Sequence, residues 1–250
     1  MNFTTLFRKE LREYLKTYKF LVVVAVFLFF GLSTPIIIKL LPEILKMSGE
    51  QIPLALPALG ASDALNNYVK NFSQIGLVVA VLVAMGAIAQ ERERGTAIMT
   101  MCKPVGFGSF IMAKMAALVL TFGIGVALGA IGCYYYTVLL LGNIAAGPFI
   151  VMNLLGVAYL IVCLSVTLMY SSFFRNQLAA GGLAFATLIA MVLLSSVPVL
   201  SGYLPSALMG WAAGLAAGGS GSAWAAVFAS AGVVVAAITI GWQTMSRKEL

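Results

Sequence analysis

The chain has no histidine, only three cysteines, and so little charge that Asp, Glu, Lys and Arg make up 9% of its 250 residues. Between Met115 and Ser246 a single charged side chain occurs, Arg175. Each shortage excludes something. A stretch that long with one ion cannot cover the surface of a water-soluble domain. Without histidine, and with no carboxylate inside its long apolar runs, the chain lacks the base and the metal ligands of an intramembrane protease. Ser165, Thr167, Ser171 and Ser172 are then hydroxyls without a base, expected to bond their own helix or a neighbouring one. Cys102, Cys133 and Cys163 supply no disulfide framework. No GxxxxGK[ST] stretch is present, so ATP phosphates have no cradle of that kind. Ion-driven carriers keep charged relay groups within the bilayer. Their absence here means that energy for uphill transport enters from outside the membrane.

What remains is apolar: 62% of the chain is hydrophobic. Crossing the hydrocarbon core takes about 20 apolar residues as a helix, and six runs qualify: Phe20–Leu40, Phe72–Ala89, Met115–Leu141, Phe149–Phe173, Leu178–Leu200 and Trp224–Gln243. They are continuous runs, not the alternating ten-residue segments of a membrane barrel. Backbone groups facing lipid must be bonded within their own segment, which requires helices. The expected fold is all-α, one polytopic transmembrane domain over residues 1–250. Phe20–Leu40 follows a charged segment and lacks a small-residue cleavage site, so it reads as a mature span.

The net charge of +7 sorts by topology and is no signal for nucleic acid. Arg8, Lys9, Arg12, Lys16 and Lys19 precede the first run. Arg92, Arg94, Lys103 and Lys114 lie between the second and third, Arg175 between the fourth and fifth, Arg247 and Lys248 after the sixth. Only Lys39, Lys46 and Lys70 fall on the opposite side. The excess of basic residues places both termini in the cytoplasm of a multi-pass protein of the cell membrane. Lys39, Lys114 and Arg175, at the ends of spans, are expected to snorkel to the interface.

Residues 1–19 hold an amphipathic helix over 3–18, with Phe3, Leu6, Phe7, Leu11, Tyr14, Leu15 and Tyr18 at three- and four-residue steps. Arg8 and Arg12 fall on its other face, so the helix is expected to lie in the lipid interface. Residues 42–71 form an external loop carrying Pro42, Pro53 and Pro57, with Ser62 and Asp63 starting a short helix to about Lys70. Residues 202–222 are apolar but broken by Pro205 and several glycines, which predicts short re-entrant helices on the outer side before the last span. Gly125-x-x-x-Gly129 and Gly214-x-x-x-Gly218 fit small-residue packing, but in a chain with 25 glycines such spacings carry little weight.

The loop of residues 90–114 carries the most information. It opens Gln90-Glu91-Arg92-Glu93-Arg94-Gly95-Thr96. Gly95 permits a sharp turn, Thr96 is placed to cap a short helix over Ala97–Lys103, Lys103 suits its last turn, and Pro104 ends it. Ile98, Met99 and Met101 give that helix an apolar face, and methionines suit an adaptable docking surface. The pattern E-R-E-x-G-T, short helix, Pro, then Lys114 resembles the ABC-2 type permeases, the membrane subunits of ATP-binding cassette transporters. The six spans, the entry helix and the broken outer segment are similar to that family as well. Val105–Gly108 departs from it where a Ser/Thr-Arg pair is common.

The resemblance implies that Glu91, Glu93, Gly95 and Thr96 shape a junction and that Ala97–Lys103 is a coupling helix seated on a separate ATPase subunit. It implies two such ATPase subunits, holding ATP and Mg, and a second permease subunit, identical or related. On that reading the chain is no enzyme and binds no cofactor or metal itself; its partners are those subunits and membrane lipid. Phe3, Phe7, Arg8, Leu11 and Arg12 belong to the entry helix, expected in the lipid interface, where it either anchors the chain or contacts a partner. The implied function is half of an exporter's pathway, worked by alternating access. A charge-free interior suits a hydrophobic, amphipathic or neutral cargo. Tyr134, Tyr135, Tyr136 and Tyr170 are expected in helix packing or interfacial positions. An ATP-independent channel and a non-transporting membrane scaffold are the rival readings; co-purification of a cassette ATPase separates them from the first.

Overall fold

A computed structural model describes residues 3–47, 60–93, 95, 106–219 and 221–247. Among them the chain forms nine helices and no strand: α1 (Phe3–Lys16), α2 (Lys19–Met47), α3 (Ala61–Ala84), α4 (Gly86–Glu93), α5 (Phe107–Leu141), α6 (Ala146–Phe173), α7 (Gln177–Leu194), α8 (Ser206–Ala216) and α9 (Trp224–Arg247). Six segments are long and apolar enough to cross a membrane: α2, α3 with α4, α5, α6, α7 and α9. The polytopic all-α architecture read from the sequence is what the chain adopts.

Several boundaries differ. α2 runs through Pro35 and Pro42 to Met47, so the start of the expected external loop is helix. Neighbouring helices and local adjustment tolerate proline in a membrane helix. The short helix expected from Ser62 is the first turn of a span: α3 begins at Ala61, and the Gly60 amide donates to Asp63 Oδ2 at 2.9 Å. The fifth span ends at Leu194 rather than Leu200. Ser195 folds its hydroxyl back onto the Val192 carbonyl, and Pro198 has no amide to continue the ladder. After turns comes α8, whose Leu208, Met209, Ala212 and Ala216 are buried. α8 shares a small cleft with Ser62 and Leu65 of α3, so it stands at the end of the bundle away from Glu91.

α2 and α5 approach closely through glycine. A Cβ on Gly31 would lie 2.2 Å from the Gly129 carbonyl oxygen, and one on Gly129 would lie 2.5 Å from that of Phe27. Gly125, one turn earlier, faces Val23. The Gly125/Gly129 spacing, given little weight in the sequence, is therefore where two backbones meet. The Gly214/Gly218 spacing is not: neither meets a neighbouring helix, and Gly218, at φ +80°, ends α8. Phe27 also meets Phe72 and Phe122 at ring distances of 5.4 and 6.0 Å, joining α2, α3 and α5.

Candidate functional site

At the end of the bundle where α1, α4 and the start of α5 converge, the structure gathers most of the charge that the interior lacks. α1 buries Leu6, Glu10 and Tyr14, three residues at four-residue steps on one helical face. An acid thus sits in the middle of the inward stripe. Leu15 and Tyr18, expected on the apolar face, are exposed; α1 is seated on protein along Leu6–Tyr14 rather than along the whole periodic face. Tyr18, at φ +58°, turns the chain into α2.

Glu10 meets Lys114. The Lys114 ammonium donates to Glu10 Oε2 at 2.9 Å and to Glu91 Oε1 at 3.0 Å, and lies 4.9 Å from the centre of the Phe110 ring. Lys9, half-buried, donates to Glu91 Oε1 at 3.3 Å and pairs with Glu10 at 3.5 Å. Lys114 is 1% exposed. It does not snorkel: one turn or two into α5, protein surrounds it and two carboxylates meet its charge. Removing water from ions costs several kcal/mol each, which close partners can offset. Carboxylate oxygens of Glu10, Glu13 and Glu91 approach within 4.8 Å of one another, but Lys9 and Lys114 already neutralise Glu10 and Glu91. The group is an ion-pair cluster joining three helices.

The electrostatics fit that description. Burial alone would lower the Lys9 pKa, but the Glu91 and Glu10 carboxylates outweigh it and raise the value above the ordinary 10.5. Tyr14 is pushed well above its usual range by burial and by Glu10, Glu13 and Glu91, so its hydroxyl stays neutral.

α4 is attached to α6 by a second set of bonds. The second span is broken at Met85, where the Ser171 hydroxyl donates to the Met85 carbonyl at 2.8 Å and accepts from the amides of Ile88 and Ala89, each at 3.0 Å. The first amides of a helix have no partner within it, and a side chain from α6 supplies one. Arg92 completes the attachment, its Nη1 donating to the Ser172 carbonyl at 2.7 Å. Gly181 of α7 presses on Met85, where a Cβ would lie 2.7 Å from the sulfur. α4 is thus a short, separately bonded piece of helix whose far end carries Glu91 and Glu93. Beyond it Gly95, at φ +69°, turns the chain, in the left-handed region that favours glycine.

Of the residues expected at the junction, Glu91 lies in the ion cluster, Glu93 is exposed at the end of α4, and Gly95 forms the turn. Thr96, Ala97, Ile98, Met99, Met101, Lys103 and Pro104 lie outside the described residues. On α1, Arg8, Arg12 and Phe3 are exposed, while Phe7 packs against the core. Sequence reasoning missed Glu10, and it misplaced Lys114. The available signal was stoichiometric: Glu10 occupies a four-residue step between Leu6 and Tyr14, and Lys114 is the one cation inside the Phe107–Leu141 helix. Ser165, Thr167 and Ser172 bond their own helix and Ser171 its neighbour, as expected.

Two similarities to known proteins bear on the chain as a whole. The ABC-2 family transporter protein model matches residues 4–241. A relative, the uncharacterized transmembrane protein YxlG of Bacillus subtilis (strain 168), is 26% identical over 184 residues, covering 70% of this chain and 69% of its own length. With nearly its whole length matched, the chain belongs to the ABC-2 family of transporter proteins and is a permease subunit of an ABC transporter.

Proposed function

Taking that membership as the premise, we propose that the chain forms half of an exporter's translocation pathway and is driven by separate cassette ATPase subunits through the loop after α4. The carrying observation is the Lys114 cluster. Lys114 binds Glu10 of α1 and Glu91 of α4 at once, so the entry helix, the last turn of the second span and the start of the third behave as one piece. That piece bears the Gly95 turn, and the segment Ala97–Lys103 follows directly. A push on this segment is delivered to three helices together, and through Arg92 and Ser171 to α6. ATP then selects between inward- and outward-open arrangements to the extent that the ATPase subunits bind one more tightly than the other. A second permease subunit supplies the other half of the pathway, and both termini are cytoplasmic. The cargo is hydrophobic, amphipathic or neutral, because α5 beyond Lys114, α6, α7 and the Trp224–Ser246 span carry no charged residue.

Co-purification tests this reading. A cassette ATPase is expected to accompany the wild-type chain in mild detergent. Met99→Asp places a charge on the docking face and should reduce recovery of that subunit by about tenfold or more, while Gly95→Val should leave the subunit bound but disconnect ATP hydrolysis from movement of the spans. Wild-type behaviour from both variants would remove the loop from the mechanism. Solute flux through vesicles containing this chain and no ATPase would establish a channel instead.

A further inference from the structure

An apolar groove of about 780 Å³ opens between α5 and α6. It runs along α5 from Gly123 to Leu139 and along α6 from Ala146 to Val157, from mid-span toward the turn that joins the two helices. It shares no lining residue with the ion cluster. Small residues create the space: Gly123, Ala127 and Ala130 leave one wall shallow, and Ile131, Tyr135 and Leu154, each more than 60% exposed, stand along the rim. Polar groups at the groove are few and partly committed. Asn153 accepts from the Tyr68 hydroxyl at 2.9 Å and donates to the Phe149 carbonyl at 2.9 Å, and the Tyr134 ring packs on Phe149.

We propose that this groove holds an acyl chain of a membrane lipid. The occupant comes from the bilayer, because both walls are membrane spans. An extended peptide is excluded, since its amides and carbonyls would find no partners there, a loss of several kcal/mol for each group. A helix of a second copy would enter it only in part. Sixteen steps along α5 give a groove about 24 Å long, and a helix about 10 Å across over that length fills roughly 1,900 Å³, more than twice the space. A flexible hydrocarbon chain meets all three conditions: apolar throughout, thinner than a helix, and available at this depth. The inference rests on the membrane-spanning fold and not on ATPase coupling.

The test uses the purified chain in phosphatidylcholine vesicles containing a phosphatidylcholine with a mid-chain diazirine, with light-induced adducts mapped by mass spectrometry. Adducts are expected to concentrate on Ala127, Ile131, Ile150 and Leu154, roughly fivefold above exposed apolar residues elsewhere such as Phe29 and Phe228. A Cβ on Gly123 would meet no atom within 4 Å, so Gly123→Leu fills the groove without disturbing packing. Gly123→Leu and Ala127→Phe should bring labelling down to the general level, while Leu128→Phe, which lies outside the groove, should not. Even labelling of the wild-type surface, or enrichment that survives both filling variants, overturns the proposal. So does a disulfide between copies carrying Ile131→Cys and Leu154→Cys, which would seat a second protomer there. The wild-type map decides on its own if a filling variant fails to fold.

Discussion

α6 and α7 are both apolar enough to span a membrane, yet one is central and the other peripheral. In the single chain, 61% of the most apolar stretch of α6 and 67% of that of α3–α4 are buried, against 22% for α7 and 22% for α9. In water, apolar area decides what goes inside. In lipid it decides little, because the tails are as apolar as leucine, and association depends on close packing and on hydrogen bonds between helices. The buried spans carry such handles: Tyr68 bonds Asn153, and Ser171 bonds the Met85 break. α2 is inside only along one edge, where Gly31 meets Gly129. The position of a span in this bundle follows the hydrogen bonds and close contacts it makes with other spans rather than its hydrophobicity.

The strongest way to break this comparison is to spoil the backbone contact. Gly129→Leu drives a side chain into the Phe27 carbonyl, with no flexible group available to yield. The expected cost exceeds about 4–5 kcal/mol, and no monodisperse protein should be recovered from detergent extracts. Gly123→Leu, on the same helix but facing open space, should be recovered at wild-type yield. Equal yields from the two would mean that α2 and α5 are not in contact through glycine.

The ion cluster gives the next largest effect and contrasts the charged end with the apolar interior. Lys114→Met leaves buried Glu10 and half-buried Glu91 beside a methyl group with Lys9 as their remaining cation among the described residues, which should cost about 3 kcal/mol, read as a lowered unfolding temperature in detergent. Adding Glu10→Met to that variant should recover part of the loss, because removing both partners restores an apolar contact. If the double variant is as unstable as the sum of the single ones, the cluster is not a coupled unit. Lys9 adds a pH signature. Its raised pKa means that its contribution is complete below 10.5 and is lost only as the pH rises through the higher folded value. The tie therefore holds across neutral pH.

The architecture is legible because the bilayer leaves so few options. Continuous apolar runs must be helices. Helix ends are harder to read. Pro42 has the character of a loop residue and lies within α2, while the fifth run, apolar as far as Leu200, is cut short by Ser195, Ser196 and Pro198. Burial is the least legible. Lys114 at the start of a span is expected at the interface by the usual rule of long cationic side chains, and only the arrival of Glu10 from a helix more than a hundred residues earlier reverses that. Ser171 is expected to bond a helix, but nothing in its local sequence identifies the break at Met85 as its partner. Glu91 and Gly95 stand out in the loop motif; the ion pairs around Glu91 depend on tertiary contacts.

The smallest effects test whether a polar tie is worth more between central spans than at the edge. Ser171→Ala leaves the Met85 carbonyl and the amides of Ile88 and Ala89 without the hydroxyl that serves all three. With these groups buried, the expected loss is about 1–3 kcal/mol. The corresponding tie to peripheral α7 is the 2.8 Å hydrogen bond between Tyr170 and Thr187, one polar bond to a largely exposed helix. Thr187→Val should cost about 0.6 kcal/mol, the usual size of an interhelical hydrogen bond in a membrane. Unfolding of both variants in the same detergent series measures the difference. If Thr187→Val costs as much as Ser171→Ala, the edge of the bundle is held as firmly as its centre, and the contrast between buried and peripheral spans is one of exposure alone.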